Sequence, residues 1–171
     1  MTIWSNQSLV FNYYYPDFGD VFTGSPISFV ADGSSHLSTL SNLSPATFSV
    51  SGIASNEVQI TYFYPSGAFN LSVAAFNGFN IAGPGADSPI VAAFVDGGST
   101  VTGLTDASVS FAADSVSVNL SADNFTAGSI GLIDVQFAVP EPGSLLLLAS
   151  GLVIALGIAR LKRFRGELLH A

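Results

Sequence analysis

The sequence predicts an all-β protein, with a β-sandwich of jelly-roll or immunoglobulin-like type over residues 1–138 and a single apolar helix after it. Short runs of alternating apolar and polar residues recur about every ten residues between turn-forming Gly, Pro, Asp and Ser, which is typical of antiparallel two-sheet domains. No amphipathic helical period of useful length precedes Pro140. An uncharged, apolar run then fills residues 144–159, so the chain divides into a β body and a C-terminal appendage.

Four strands are predicted in the first half of the body. Residues 7–15 form an aromatic-rich run that ends at a Pro-Asp turn, and residues 46–52 alternate. Residues 57–64 also alternate and end at a Pro-Ser-Gly turn. Residues 68–81 carry apolar side chains whose spacing changes near Ala74, which predicts a bulge or bend within that strand.

Four more strands are predicted in the second half. Residues 90–95 form a short apolar run closed by Asp-Gly-Gly, and residues 109–111 begin the next strand. Residues 115–120 alternate strictly between small polar and apolar side chains, and residues 130–137 form the last strand. Because successive side chains of a strand point to opposite faces, the apolar members of these runs are predicted to form the core between two sheets.

Charge is distributed unevenly along the chain. Only 9% of the residues are charged, against about 25% in an ordinary soluble domain. All four Lys and Arg residues lie at 160–165, so the body, with nine Asp and one Glu up to residue 139, has no side-chain cation apart from His36 when protonated. Nucleic-acid binding requires cations that replace phosphate counterions, so we exclude that class of partner. The absence of cysteine excludes disulfides and cysteine-based zinc sites.

The apolar run at 144–159 is predicted to be a transmembrane helix. Its 16 residues give a helix of about 24 Å, slightly short of the roughly 30 Å hydrocarbon core, and snorkelling basic side chains add length. A buried core helix is the alternative, but such a helix normally has a polar face, and this run has none. The basic residues that follow directly predict a cytoplasmic C-terminus, with the body outside. They form a stop-transfer cluster of Arg160, Lys162, Arg163 and Arg165.

A proline-rich linker at 139–143 precedes the apolar run. Its residues Val139, Pro140, Glu141 and Pro142 are predicted to be extended, because two prolines disfavour both helix and interior strand. Together with the helix and the basic cluster, the segment 139–165 resembles the PEP-CTERM sorting signal of Gram-negative bacteria. Residues 166–171 extend beyond the usual end of that signal and are predicted to be a cytoplasmic extension.

The resemblance implies a fate for the protein. It implies that an integral-membrane exosortase recognises the residues from Val139 to Pro142 and cleaves near them. The protein would be held transiently in the inner membrane through its helix and then reach the cell surface or the exopolysaccharide matrix. The chain would be the substrate of this reaction, so no catalytic residue is predicted in it and the body is expected to have a non-enzymatic structural or adhesive role. A permanently anchored membrane protein is the alternative.

The N-terminus has no basic segment followed by an apolar one. Because a protein sorted in this way is expected to carry a secretion signal, we favour a start codon upstream of Met1 that adds a signal peptide. The alternative is that the C-terminal helix itself directs insertion.

Two groups of polar residues in the body are candidates for metal binding or for catalysis. Asp17 and Asp20 flank a Phe-Gly corner and are the best candidates for calcium, which requires several oxygen ligands. Asp is equally a common turn residue. Calcium is therefore a weak candidate, and no other cofactor is predicted. His36 lies close in sequence to Asp32, Ser34 and a second serine, the residue types of a hydrolase triad. No nucleophile elbow is present, so a polar surface loop is the simpler interpretation of His36.

The aromatic residues, which comprise 14 Phe, 5 Tyr and 1 Trp, allow two interpretations. Most are predicted to be core. Tyr13, Tyr14 and Tyr15 are consecutive, so their rings alternate between the faces of a strand and at least one face should be partly exposed. An exposed ring suits sugar stacking, so a carbohydrate-binding, calcium-dependent matrix module is the first alternative function. A secreted hydrolase that uses His36 is the second.

Overall fold

Alternation of apolar and polar side chains determines which residues form strands. The computed structural model describes residues 4–22, 25–38, 46–54, 56–64, 69–70, 72–84 and 88–139. In these residues a 3₁₀ helix at Asp106–Ser108 is the single helical element. The strands are β1 (Ser8–Tyr14), β2 (Ile27–Val30), β3 (His36–Ser38), β4 (Ala46–Ala54), β5 (Glu57–Tyr64), β6 (Phe69–Asn70), β7 (Gly78–Ala82), β8 (Ile90–Val95), β9 (Val109–Phe111), β10 (Ser115–Asn119), β11 (Asn124–Phe125) and β12 (Ser129–Phe137).

The strands form two five-stranded antiparallel sheets and one separate pair. The first sheet has the order β2-β1-β7-β10-β9, the second sheet has the order β3-β4-β5-β12-β8, and β6 pairs with β11. The predicted all-β fold is therefore confirmed for the described residues.

The predicted C-terminal appendage is not among these residues. The linker from Pro140 onward, the predicted helix at 144–159, the basic cluster and the extension at 166–171 all lie outside the described residues. In the described part of the chain, no helix has the length and hydrophobicity needed to cross a bilayer.

Aromatic rings join the two sheets across a shared core. Phe11 on β1 stacks on Phe48 of β4 with ring centroids 4.2 Å apart, and Phe79 on β7 stacks on Tyr62 of β5 at 5.3 Å. Phe11 and Phe79 also lie 5.4 Å apart within the first sheet. Such pairs contribute about 0.5–1.5 kcal/mol each beyond the burial of their surface. The ring stack therefore adds a directional contribution to the burial of the shared apolar core.

Most of the predicted strands are confirmed, and one is wrong. β5 and β8 have the predicted bounds, and the runs at 7–15, 46–52, 109–111, 115–120 and 130–137 overlap strands. Residues 68–81 instead contain β6 and β7, which belong to different sheets. The chain between them bonds elsewhere: the Ala74 N–H donates to Ser121 Oγ at 2.9 Å, and the Phe76 N–H donates to the Pro16 carbonyl oxygen at 2.9 Å.

Asp123 is a buried acid in the turn before β11. Its side chain is 4% exposed, and its Oδ2 atom has no hydrogen-bond partner among the described residues. The turn leaves no room beside it, because a Cβ on Gly103 would lie 2.6 Å from Asp123 Oδ1. Burial raises the pKa of the Asp123 carboxyl to about 6.

We expect Asp123→Asn to become more stable relative to the wild-type protein as the pH rises from 4 to 7. The pKa of Asp123 is raised from 3.8 to about 6 by folding. As the pH rises, the unfolded chain therefore loses the Asp123 proton at a lower pH than the folded protein does. The free energy of unfolding of the wild-type protein falls between these two pH values. Solvent screening reduces the full linkage value, so the relative gain is about 1–2 kcal/mol at pH 7. Thermal unfolding of both proteins at several pH values checks this, and a difference that does not vary with pH would contradict it.

Candidate functional site

The body is held by hydrogen bonds up to the residue before Val139. The Phe137 N–H donates to the Asn56 carbonyl oxygen at 2.9 Å, and the Ala138 N–H donates to the Pro89 carbonyl oxygen at 2.8 Å. Phe137 is buried, and its ring lies 5.7 Å from that of Trp4 in an edge-to-face arrangement. Val139 is 64% exposed. One exposed residue thus separates the last hydrogen-bonded residue of the body from Pro140.

This junction has a consequence for cleavage. β12 lies between β5 and β8 and pairs with both of them, so it is an interior strand of the second sheet. A cut on the C-terminal side of Val139 leaves all of these pairings in place, whereas a cut before Ala138 removes its bond to Pro89. The hydrogen bonding of the described body therefore ends at Ala138, directly before the linker predicted at 139–143. The other predicted sorting residues, from Pro140 to Pro142 and in the basic cluster, lie outside the described residues.

The corner after β1 brings Asp17 and Asp20 together through backbone contacts. The Asp20 N–H donates to the Asp17 carbonyl oxygen at 3.1 Å, and the Tyr15 N–H donates to the Asp20 carbonyl oxygen at 3.0 Å. Both side chains are exposed. In the described part of the chain, no three His, Cys, Asp or Glu side chains are placed to hold a metal ion. Calcium binding at Asp17 and Asp20 stays a prediction.

Three aromatic rings form a cluster at the same corner. The Phe18 ring lies 4.9 Å from that of Tyr14 and 5.1 Å from that of Phe76. We call Tyr14, Phe18 and Phe76 the corner cluster. Phe18 is 59% exposed, whereas Phe76 is buried beneath it. The predicted alternation is confirmed for Tyr13 and Tyr14, because Tyr13 is buried and Tyr14, on the other face of β1, is half-buried, whereas Tyr15 lies beyond the end of the strand.

A row of small polar side chains crosses the outer side of the first sheet. Asn12 on β1 is opposite Asn80 on β7, and Asn80 is opposite Ser117 on β10, which pairs with Ser110 on β9. We call these four residues the polar row. Their strand neighbours, such as Phe11, point into the core, so the polar row lies on the outer side of the sheet. Within the row Asn80 and Ser117 are buried, Asn12 is half-buried and Ser110 is exposed. The Asn80 Nδ2 group donates to Ser117 Oγ at 3.0 Å.

The corner cluster and the polar row occupy neighbouring positions on one face. Tyr14 is two residues from Asn12, which is one same-face step of about 7 Å along β1. Sequence reasoning identified the aromatic residues but missed the polar row. The sequence shows that Asn12 and Ser117 alternate with apolar residues. It does not show the pairing of β1, β7 and β10 that aligns them.

His36 occupies a strand and not the predicted polar loop, so that prediction is wrong. It begins β3, opposite Phe48 on β4, and its ring lies 5.0 Å from that of Phe29 and 5.6 Å from that of Phe48. The aromatic neighbours explain the position, because the flat imidazole packs against them. Its Nε2 atom is buried without a hydrogen-bond partner among the described residues.

The residues near His36 in sequence make other contacts. Asp32 Oδ1 accepts a hydrogen bond from the Ser34 N–H at 2.8 Å, and this bond lowers the pKa of the Asp32 carboxyl. Asp32 is exposed, and the His36 imidazole is only the smallest of the influences that lower the pKa of its carboxyl. The arrangement is that of a local turn, which differs from the Ser–His–Asp chain of a hydrolase triad.

A comparison with protein families identifies the segment at the end of the body. The family model of the PEP-CTERM protein-sorting motif matches residues 138–163. No curated protein and no solved structure matches the chain. The chain therefore carries a PEP-CTERM sorting motif, which implies an exosortase as its processing partner and a secreted, surface-directed protein. The match begins at Ala138, the last residue with a backbone hydrogen bond to the body.

Proposed function

We propose that this chain is a cell-surface or exopolysaccharide-matrix protein with a non-enzymatic structural or adhesive role, released after exosortase cleaves near Pro140–Pro142. The observation that carries the proposal is the coincidence of the sorting motif with the end of the folded body. The motif begins at Ala138, and Val139 is exposed directly after it. A processing enzyme requires an accessible, extended segment, and an exposed residue followed by two prolines provides one.

The proposal assigns a role to each part of the chain. The body is a β-sandwich of jelly-roll or immunoglobulin-like type, which is supported by two facing antiparallel sheets with one core. Residues 144–159 form a temporary inner-membrane anchor, and the basic residues after it act as the stop-transfer signal with a cytoplasmic C-terminus. Support for this orientation comes from the charge distribution, since every Lys and Arg follows the apolar run.

We expect replacement of Pro140, Glu141 and Pro142 by Ala, Gln and Ala to abolish processing. The triple variant removes the conformational restraint and the charge that mark the segment, while the described body is unchanged. Mass spectrometry of the C-terminus, in a host with an active exosortase, should find a shortened wild-type chain and a variant that still ends at Ala171.

The matched control is Glu57→Gln, which removes one carboxylate at the same end of the body. Glu57 accepts a hydrogen bond from Gln136 at 3.3 Å, and this variant should be processed normally. A wild-type chain that still ends at Ala171 in the presence of the exosortase would refute the sorting proposal. Loss of processing in the control would show that the body and not the motif is recognised.

A carbohydrate-binding matrix module is the second candidate function. The observation that favours it is the corner cluster, in which Phe18 is held by two other rings and is still 59% exposed. An exposed ring with a fixed orientation is a common means of recognising a sugar, because aromatic residues offer large contact area at low entropic cost.

A further inference from the structure

We infer that the outer side of the first sheet binds a neutral polysaccharide, with Asn12 and Ser110 at the two ends of the polar row contacting sugar hydroxyls and the corner cluster stacking on a sugar ring. This inference rests on the second candidate function and specifies its site and the class of its ligand. It does not depend on exosortase processing.

The accessible ends of the polar row have the hydrogen-bonding capacity that a sugar requires. Each sugar hydroxyl both donates and accepts hydrogen bonds, and Asn amides and Ser hydroxyls do the same. The row crosses four strands, from Asn12 on β1 to Ser110 on β9, and therefore spans about 14 Å at the usual strand spacing. Asn80 and Ser117 are each 8% exposed, whereas Asn12 is half-buried and Ser110 is exposed, so the ends of the row are accessible and its centre is not. The two ends are far enough apart to contact different sugar units of one chain.

The centre of the row is ordered before any ligand arrives. Asn80 Nδ2 donates to Ser117 Oγ at 3.0 Å and to the Val116 carbonyl oxygen at 3.3 Å. These bonds fix the Asn80 amide on a strand in the middle of the sheet. Asn80 is buried, so it holds β10 beside β7 and does not itself contact a ligand. The spacing between Asn12 and Ser110 is thus set before a ligand binds, which favours recognition of a stiff polysaccharide.

The corner cluster provides the apolar part of the site. Contacts with Tyr14 and Phe76 fix the Phe18 ring, and its remaining surface is open. A sugar ring has apolar C–H faces, which pack on an aromatic ring in the way that other apolar groups do. The cluster lies one same-face step from the row, so one chain of sugars can contact both.

The negative charge near this face favours a neutral ligand over an anionic one. Residues 1–159 contain no Lys or Arg, and the exposed Asp17 and Asp20 lie beside Phe18 in the corner. An anionic polysaccharide or an anionic lipid surface would meet negative charge without a compensating cation. A protein partner is disfavoured because the core of a protein interface is depleted in serine and enriched in apolar groups. A neutral polysaccharide fits both the charge and the polarity.

The test uses the full-length protein in a zwitterionic detergent, because alkyl-glycoside detergents would compete for a sugar site. The neutral probes are cellulose, β-1,3-glucan and β-mannan, and the anionic probe is alginate. The site variants are Phe18→Ala and Asn12→Ala. The matched control is Phe111→Ala, which removes a ring that is 47% exposed on the same sheet, at the residue opposite core-facing Val116.

We expect at least one neutral polysaccharide to retain the wild-type protein and alginate not to retain it. Each site variant should weaken retention about tenfold, as is typical of a central contact residue, and Phe111→Ala should bind as the wild type does. Near-ultraviolet circular dichroism confirms that each variant is folded, and Asn12→Ala provides the answer if Phe18→Ala does not fold.

Several results would overturn the inference. They are no retention by any of the three neutral polysaccharides, equal retention by alginate, or an equal loss in Phe111→Ala. Capture by phosphatidylglycerol vesicles that depends on Phe18, without polysaccharide retention, would assign the face to a membrane instead. Because processing is measured separately at the mature C-terminus, failure of the polysaccharide site and failure of the sorting proposal are distinguishable.

Discussion

Phe11→Ala is expected to lower the free energy of unfolding by about 3–5 kcal/mol. The Phe11 side chain is fully buried, and its ring stacks on Phe48 of the second sheet at 4.2 Å. It also lies 5.4 Å from the ring of Phe79 in its own sheet. Truncation therefore opens a cavity between the sheets and removes both ring contacts. Thermal and urea unfolding of the full-length chain measures the loss.

The control for this prediction is again Phe111→Ala. Its ring is 47% exposed and belongs to no buried cluster among the described residues, so the expected loss is below about 1 kcal/mol. Equal losses in the two variants would contradict the expectation that the buried ring stack between the sheets contributes more to stability than the exposed Phe111 ring.

Local periodicity made part of the fold predictable from the sequence. β5 has the predicted bounds because its residues alternate strictly between buried and half-buried positions. β8 also has the predicted bounds, because its short apolar run is followed by Asp-Gly-Gly. The charge distribution and the proline-rich linker likewise identified the sorting motif, since both are encoded in consecutive residues.

Features that depend on distant pairing were not predictable. Asn12 and Asn80 become neighbours only because β1 and β7 pair across a long stretch of chain. The break between β6 and β7 arises from the bonds of Ala74 to Ser121 and of Phe76 to Pro16, both remote in sequence. β3 has three residues, too few for an alternating pattern, so the sequence alone favours a loop at His36.

The arrangement of the body separates its two proposed functions. The sorting motif begins at the C-terminal end of β12, an interior strand of the second sheet, whereas the polar row lies on the outer side of the first sheet. Cleavage after Val139 changes none of the strands that carry the polar row. The released body would therefore keep the face that we propose for polysaccharide binding.

Gly78→Ala is expected to destabilise the protein by about 3 kcal/mol, the upper end of the usual range for overpacking. A Cβ at Gly78 would overlap the backbone carbonyl of Val118 on β10, and a backbone group cannot move aside as a flexible side chain can. β7 pairs with β1 and β10, so separation of one pair disturbs the centre of the first sheet. Thermal and urea unfolding of the full-length chain checks the value.

Gly97→Ala is the matched control, because nothing lies within 4 Å of the added Cβ. Its exposed position predicts a change within about 0.5 kcal/mol. Gly78 is opposite both Tyr14 and Asn119, one same-face step from the polar row. Gly78→Ala should therefore also weaken polysaccharide retention, whereas Gly97→Ala should not. Equal stability of the two variants would show that β7 and β10 tolerate a side chain between them. In that case the close approach of these two strands would not be needed to hold the polar row in register.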